Sequence, residues 1–405
     1  MRVLVAHNSY QQPGGEDRVA AAEAALLERH GHEVVWFRRH NDAVREFTRT
    51  GLALRTIWNS TIYSELRTLL RRTQPAVCHF HNTFPLMSPA AFYAAKAENL
   101  PVVVTLHNYR LLCPAATLTR QGRECHDCLS KSVPWPAVLH ACYRESRTAT
   151  AAAAAMLSVH RILGTWSKAV DLYIAPSDFA RRMLVEGGLR GEKVAVKSNF
   201  LESDPGFSAD RDDAALFVGR LSAEKGIEVL LAAWRLLEVP MRLRIAGDGP
   251  LASQVAGAVR QDRRIEWLGA ISRDRVIEEM KRARVLLFPS TWYEVQPLTL
   301  IEAAATGLPV LASALGAVPE LVRHGETGVH FRPGDSADLA RKALWCWQHP
   351  ECLAEMGNRA RQRFEDRYTA AANYGQLVGL YARANAGRQS PARESREAFA
   401  ESSTD

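Results

Sequence analysis

Short apolar runs of strand length alternate with segments of helical spacing, and they do so twice along the chain. In the first half the runs are Arg2–Ala6, His32–Phe37, Ala76–Phe80, Pro101–Leu106, Asp171–Ala175 and Lys193–Val196, with helical spacing over Asp17–His30. Continuous apolar runs suit strands covered on both faces, and their alternation with helices predicts parallel α/β sheets. The polar stretch Ser198–Asp213, with Pro205 and Gly206, reads as a linker. After it the pattern restarts with strands Ala214–Val218, Met241–Ala246, Ile265–Trp267, Arg284–Phe288 and Pro309–Ala312. Helices are expected at Lys225–Leu237, Leu251–Arg260, Arg273–Arg282 and near Leu298–Thr306. The chain therefore predicts two Rossmann-like, doubly wound domains facing across a cleft, with ligands beyond the carboxyl ends of the strands. Expected boundaries are 1–200 and 201–365, a helix over 366–386 returning to the first domain, and a disordered tail over 387–405.

At 405 residues and 47% hydrophobic, the chain is large enough for two buried cores. Its first apolar run is too short for a secretory signal, and the Ala-rich run near Ala149–Met156 is too short to span a bilayer. These features predict a cytoplasmic protein with its seven cysteines reduced. Residues 1–200 carry 25 Lys and Arg against 16 Asp and Glu, so the whole-chain net charge of +7 belongs to the first half. Arg38, Arg39, Arg45, Arg49, Arg55, Arg67, Arg71 and Arg72 supply much of it. Such a surface suits an anionic partner, including the inner face of a membrane; Arg-rich solvated helices are the plainer alternative.

The segment Phe288–Ser313 (FPSTWYEVQPLTLIEAAATGLPVLAS) leaves a strand, crosses a loop holding Glu294 and enters a helix. Pro297 suits the first helical turn, and Gly307 with Pro309 suits its end. The free N–H groups of Leu298 and Thr299 would then face the strand ends, an arrangement that binds phosphate. Glu294 could reach a sugar hydroxyl and Glu302 both hydroxyls of a ribose. In FVGRLSAEKGI, Phe217–Ile227, Arg220 sits at a strand end and Lys225 opens the next helix, two cations suited to a pyrophosphate leaving group.

Taken together, FVGRL-SAEKGI, LRIAGDGP (Leu243–Pro250), and PS-x₃-E-x₇-E followed by AATGLPVLAS resemble the C-terminal domain of retaining family 4 glycosyltransferases. The resemblance implies the GT-B fold. It implies transfer of a sugar from a nucleoside-diphosphate sugar to an acceptor hydroxyl, with retention and without a catalytic metal. Arg220 and Lys225 would contact the diphosphate, Glu294 the donor sugar and Glu302 the ribose. Many members carry Phe-Gly where this loop has Gln296-Pro297, which alters the phosphate loop's donors.

In the first half, the Gly14-Gly15 pair before a helix lets backbone approach a ligand, and in the family this loop lies near the donor phosphates. His107 closes its strand where relatives have the histidine that meets the donor sugar. His79, His81 and Asn82 end another strand and are candidates for the acceptor side. An unusual excursion follows His107: Cys113, Cys125-x₂-Cys128 and Cys142, with His126 and His140 as substitutes, have the spacing of a structural zinc knuckle. The acceptor is expected to be a saccharide or lipid-linked saccharide of surface polysaccharide or glycolipid synthesis. Alternatives are a non-hydrolysing nucleotide-sugar epimerase and a zinc-bearing, basic nucleic-acid-binding protein; the four-residue set Arg220, Lys225, Glu294 and Glu302 argues against nucleic acid as a partner.

Overall fold

The computed structural model describes residues 1–11, 14–129 and 131–386; the tail expected from Gly387 lies outside them. The chain divides into two units. The first comprises Met1–Thr117, His126–Lys197 and the chain from Asn373 onward. Its strands are β1 (Arg2–Ser9), β2 (Glu33–His40), β3 (Val77–Asn82), β4 (Val102–Thr105), β7 (Leu172–Ala175) and β8 (Val194–Val196). They form one parallel sheet in the order β2-β1-β3-β4-β7-β8. Val3, Val5, Val77, Val103, Leu172 and Ile174 pack beneath Leu27 and beneath Leu377, Tyr381 and Ala384 of the last helix, Ala370–Glu401. That helix thus completes the first unit's core although it is last in sequence.

The second unit comprises Ser198–Ala372 and the segment Leu118–Cys125. That segment carries a two-stranded antiparallel hairpin, β5 (Thr119–Arg120) and β6 (Arg123–Glu124). The second unit's sheet holds β9 (Ala214–Val218), β10 (Arg242–Ala246), β11 (Ile265–Gly269), β12 (Val285–Phe288), β13 (Val310–Ser313) and β14 (Gly328–Phe331). All are parallel, in the order β11-β10-β9-β12-β13-β14. The strand order reverses at β9, so β9 and β12 leave a crevice beyond their carboxyl ends where a ligand can sit. In the first unit the equivalent reversal lies between β1 and β3. Phe217, Ile245 and Leu287 pack against a fully buried Trp234 in the second core.

Two local expectations are corrected. Lys225 does not open a helix; it ends a 3₁₀ turn, Ala223–Lys225, and the helix runs Ile227–Leu236. Gly226 separates them in the left-handed region, at φ +75°. Pro297 is not inside the helix Leu298–Ala305 but caps it in extended conformation, so the missing N–H falls one position earlier. The loops beyond β9 and β10 meet backbone to backbone: a Cβ on Gly247, at φ +144°, would lie 1.9 Å from the carbonyl oxygen of Gly219.

Gly226 is equally constrained, since a Cβ there would lie 1.9 Å from the carbonyl oxygen of Pro289. Gly226→Ala combines left-handed strain of about 1–2 kcal/mol with displacement of the β12 loop. We expect a loss of about 3 kcal/mol, read by calorimetry as a drop of roughly 6–12 °C in the melting of the second unit.

Candidate active site

The crevice at β9 and β12 is lined by Phe217, Val218 and Gly219 from one strand end and by Phe288, Pro289 and Ser290 from the other. Lys225, Pro297 and Thr299 complete it, around a cavity of about 50 Å³. Glu294 is buried beside it, and three donors converge on its Oε1: Lys225 Nζ at 2.6 Å, Trp292 Nε1 at 2.7 Å and Ser290 Oγ at 3.1 Å. None of the three takes Oε2. Lys225 also lies over the Trp292 ring, 5.1 Å from its centroid. A buried carboxylate is tolerable only when charge and hydrogen bonds compensate its lost hydration, and this cluster supplies both. The structure therefore joins Glu294 and Lys225 in one ion pair, whereas the sequence reading gave them separate partners.

Leu298 and Thr299 are the first two residues of their helix, so their N–H groups precede its hydrogen-bonded register. Glu302, one turn further, is buried, with Arg273 Nε 3.4 Å from its Oε1. Arg220 follows the end of β9 and is exposed.

In the first unit, Gly15 begins the helix Gly15–Arg29, and a Cβ there would meet nothing within 4 Å. Asp17 holds the preceding loop: it accepts from Gly14 N–H at 2.7 Å, Tyr10 N–H at 3.3 Å and His7 Nε2 at 2.8 Å. Burial pulls its carboxyl upward, but the His7 ring and these N–H groups outweigh it and hold it below the usual range.

The ends of β1, β3 and β4 carry a histidine array. His81 stacks on His107 at 5.3 Å between centroids, with His81 Nδ1 3.0 Å from His107 Nε2. His79 packs on His81 at 4.3 Å and bonds Tyr381 and Thr105, at 2.8 and 2.7 Å. Beneath them Glu23 is paired with buried Lys197 at 2.5 Å. The Glu23 carboxylate lies 3.6 Å from His81 Nε2, beyond hydrogen-bond length. His81 Nδ1 and His107 Nε2 share one hydrogen bond, with the donor set by the tautomer. His107, His81 and Asn82 line a cavity of about 70 Å³ with Tyr10, Asn108 and Arg110; His79 does not line it.

Among the described residues, Glu23, His79 and His81 form a group of metal-type ligands whose atoms lie within 4.8 Å of one another, and the four thiols form no such group. Cys125 directly follows the hairpin strand Arg123–Glu124. The hairpin instead places Glu124, whose carboxylate accepts from Tyr293 Oη at 2.5 Å. At the Glu23 group, Lys197 Nζ already supplies the compensating positive charge.

Sequence reasoning missed Ser290, Trp292, Asp17 and the Glu23–Lys197 pair. The first two lie inside the segment Phe288–Ser313 already singled out.

Comparisons with known proteins identify the family and the fold. The profile of the family described as Glycosyltransferase Family 4 matches residues 13–204, and that of Glycosyl transferases group 1 matches residues 201–363. D-rhamnosyltransferase WbpZ of Pseudomonas aeruginosa is 30% identical over 159 residues, 38% of this chain and 41% of that protein. Glycogen synthase of Mycobacterium tuberculosis is 26% identical over 303 residues, 72% of this chain and 71% of that protein. Among solved structures, Anabaena HepE in complex with UDP-glucose superposes with a TM-score of 0.66 at 17% identity, covering 94% of this chain and 99% of its own. The chain belongs to the family 4, group 1 glycosyltransferases, with the GT-B fold of two Rossmann-like domains.

Burial holds the histidines neutral: desolvation pushes His79 down to about 4 and His107 down to about 3, and His81 well below its usual value. A histidine whose folded pKa is depressed binds fewer protons folded than unfolded below about pH 6.5. Stability is then complete above that pH and falls as pH drops toward 4. His79 alone accounts for about 3 kcal/mol of this loss. Glu16 runs the other way, because burial raises its carboxyl to about 7. We expect acid to unfold the first unit between pH 6 and 4, with His79→Gln flattening that dependence in denaturant titrations at stepped pH.

Proposed function

We propose that the protein is a retaining transferase that moves a hexose-type sugar from a nucleoside-diphosphate donor to a saccharide or lipid-linked acceptor. The observation that carries this reading is the Glu294 cluster beside the Leu298 helix start, at the reversal between β9 and β12. The N–H groups of Leu298 and Thr299 face the diphosphate, and Arg220 and Lys225 balance the charge it gains on leaving. Glu302 accepts the ribose hydroxyls. Glu294 Oε2, left unused by the three donors, orients a hydroxyl of the donor sugar.

In the reaction the bond from the anomeric carbon to the phosphate oxygen breaks and its electron pair leaves with the diphosphate. The acceptor oxygen bonds that carbon from the same face and passes its proton to the departing phosphate oxygen. His107 meets a hydroxyl of the donor sugar, and Gly15, beside which a side chain would meet nothing within 4 Å, leaves room for phosphate. Known relatives act in such chemistry: one is named a rhamnosyltransferase, and HepE has been solved with UDP-glucose. Synthesis of a surface polysaccharide or glycolipid, at the inner face of a membrane, fits the basic first half. Among the described residues, no helix is long and apolar enough to cross a membrane.

Thermal shifts with UDP-, GDP- and ADP-sugars will identify the donor, because ligand binding raises melting by mass action. Arg220→Ala and Lys225→Ala should each weaken nucleoside diphosphate binding at least about tenfold while leaving nucleoside binding nearly unchanged. Equal loss for both ligands, measured by calorimetry, would mean that the residues serve the fold and not the phosphates.

A further inference from the structure

The first unit carries an open groove of about 710 Å³ that no part of the proposed reaction uses. Val133, Trp135, Val138 and Leu139 form one wall, and Ala151 and Ile162 belong to the other. Trp135 is 57% exposed and Ile162 81%, and the adjoining Leu163 is exposed as well. Contiguous apolar surface of this kind is uncommon on soluble monomers and marks an interaction face.

Its charges are one-sided. From 129 to 170 the chain carries Lys131, Arg144, Arg147, Arg161 and Lys168 against the single acid Glu145. Arg161 is used internally, donating to carbonyls of Lys131, Ser132 and Leu111. Arg144, Arg147 and Lys168 remain exposed, and Arg147 lines the groove. The helix Arg147–Ile162 has no acid at all. The helix Arg49–Ile57 packs against it, with a bond between Ile57 O and His160 Nε2 at 2.8 Å. That helix also lacks acids and exposes Leu54.

The earlier Arg-rich stretch is a poorer candidate. Arg67 and Arg71 both pair with Glu98, Arg39 pairs with Glu65, and Arg38 stacks on Trp36 at 3.6 Å.

We propose that the face carrying Trp135, Leu139 and Ile162 docks on a bilayer containing anionic phospholipid. The apolar side chains enter the boundary between headgroups and acyl chains, and Arg144, Arg147 and Lys168 meet the phosphates. A wide apolar floor with an indole, Arg147 in its lining and Lys131 over the Trp135 ring at 5.8 Å matches an interfacial membrane site, and the shortage of acids matches an anionic surface. This deepens the reading of a membrane-face enzyme, and it is tested without turnover.

The test is flotation of the full chain with vesicles of phosphatidylcholine containing one quarter phosphatidylglycerol, and with phosphatidylcholine alone. Wild type should bind the anionic vesicles, more weakly as salt rises. The triple variant Trp135→Ser, Leu139→Ser, Ile162→Ser should lose on the order of a hundredfold in partition, given the apolar area it withholds from the bilayer. Arg144→Glu with Arg147→Glu should lose at least about tenfold. Arg45→Glu with Arg72→Glu, in the other basic stretch, should bind like wild type. Unchanged melting of each variant, and an unchanged melting shift with nucleoside diphosphate, will show that the fold persists. The proposal is overturned if the triple variant floats like wild type, or if wild type binds neither vesicle. It is likewise overturned if the triple variant changes only the sedimentation of the chain, which would make the face a protein interface. Absence of sugar transfer with intact vesicle binding would count against the proposed reaction and leave this face standing.

Discussion

Glu294 is almost wholly buried, and a buried carboxylate persists only where donors replace its lost water. Lys225, Ser290 and Trp292 do so on one oxygen. That convergence explains much of the surrounding chain. Ser290 ends the β12 excursion, and Ser313, at the end of β13, donates to its carbonyl at 2.6 Å. Lys225 is delivered by a 3₁₀ turn that stops at Gly226, where side-chain atoms would strike the Pro289 carbonyl. The two loops that carry the ion pair are therefore fixed against each other by backbone contact. Such rigidity is what an electrostatic site requires, since a preorganised charge need not reorganise as the reaction proceeds.

The first unit solves a related problem differently. Glu23 and Lys197 are both buried and neutralise each other, and the histidines above them are kept uncharged by burial. The pair is weak evidence for stability, since desolvation offsets most of its attraction. Its clearer effect is local neutrality: Lys197 compensates the Glu23 charge beneath the packed rings of His79 and His81.

Much of this was legible in sequence because parallel sheets leave a strong trace. Strands buried on both faces read as plain apolar runs, so eleven expected strands reappear with ends shifted by at most three residues. Strand Gly328–Phe331 was not read, being four residues long and interrupted by His330. Glu294, Lys225 and Glu302 could be singled out because they stand at strand ends and helix starts, where charges have few structural duties. Ser290 and Trp292 gave no such signal, since either residue has many ordinary uses. The histidine array was legible only in pieces. Its members come from β1, β3 and β4, and their meeting depends on a strand order that spacing along the chain does not encode. The spacing of the four cysteines fits a zinc knuckle, and like that of the histidines it does not encode which side chains meet in space.

The central claim is that Glu294 acts on the donor sugar as its bond breaks, beyond its part in the resting ion pair. Single-turnover transfer and donor affinity, measured side by side in wild type and Glu294→Gln, test this directly. Glutamine keeps an acceptor for Lys225, Ser290 and Trp292 but loses the charge. The account predicts a fall in transfer rate on the order of a hundredfold or more, with donor affinity changed by less than about tenfold. An unchanged transfer rate in a correctly folded variant would contradict it.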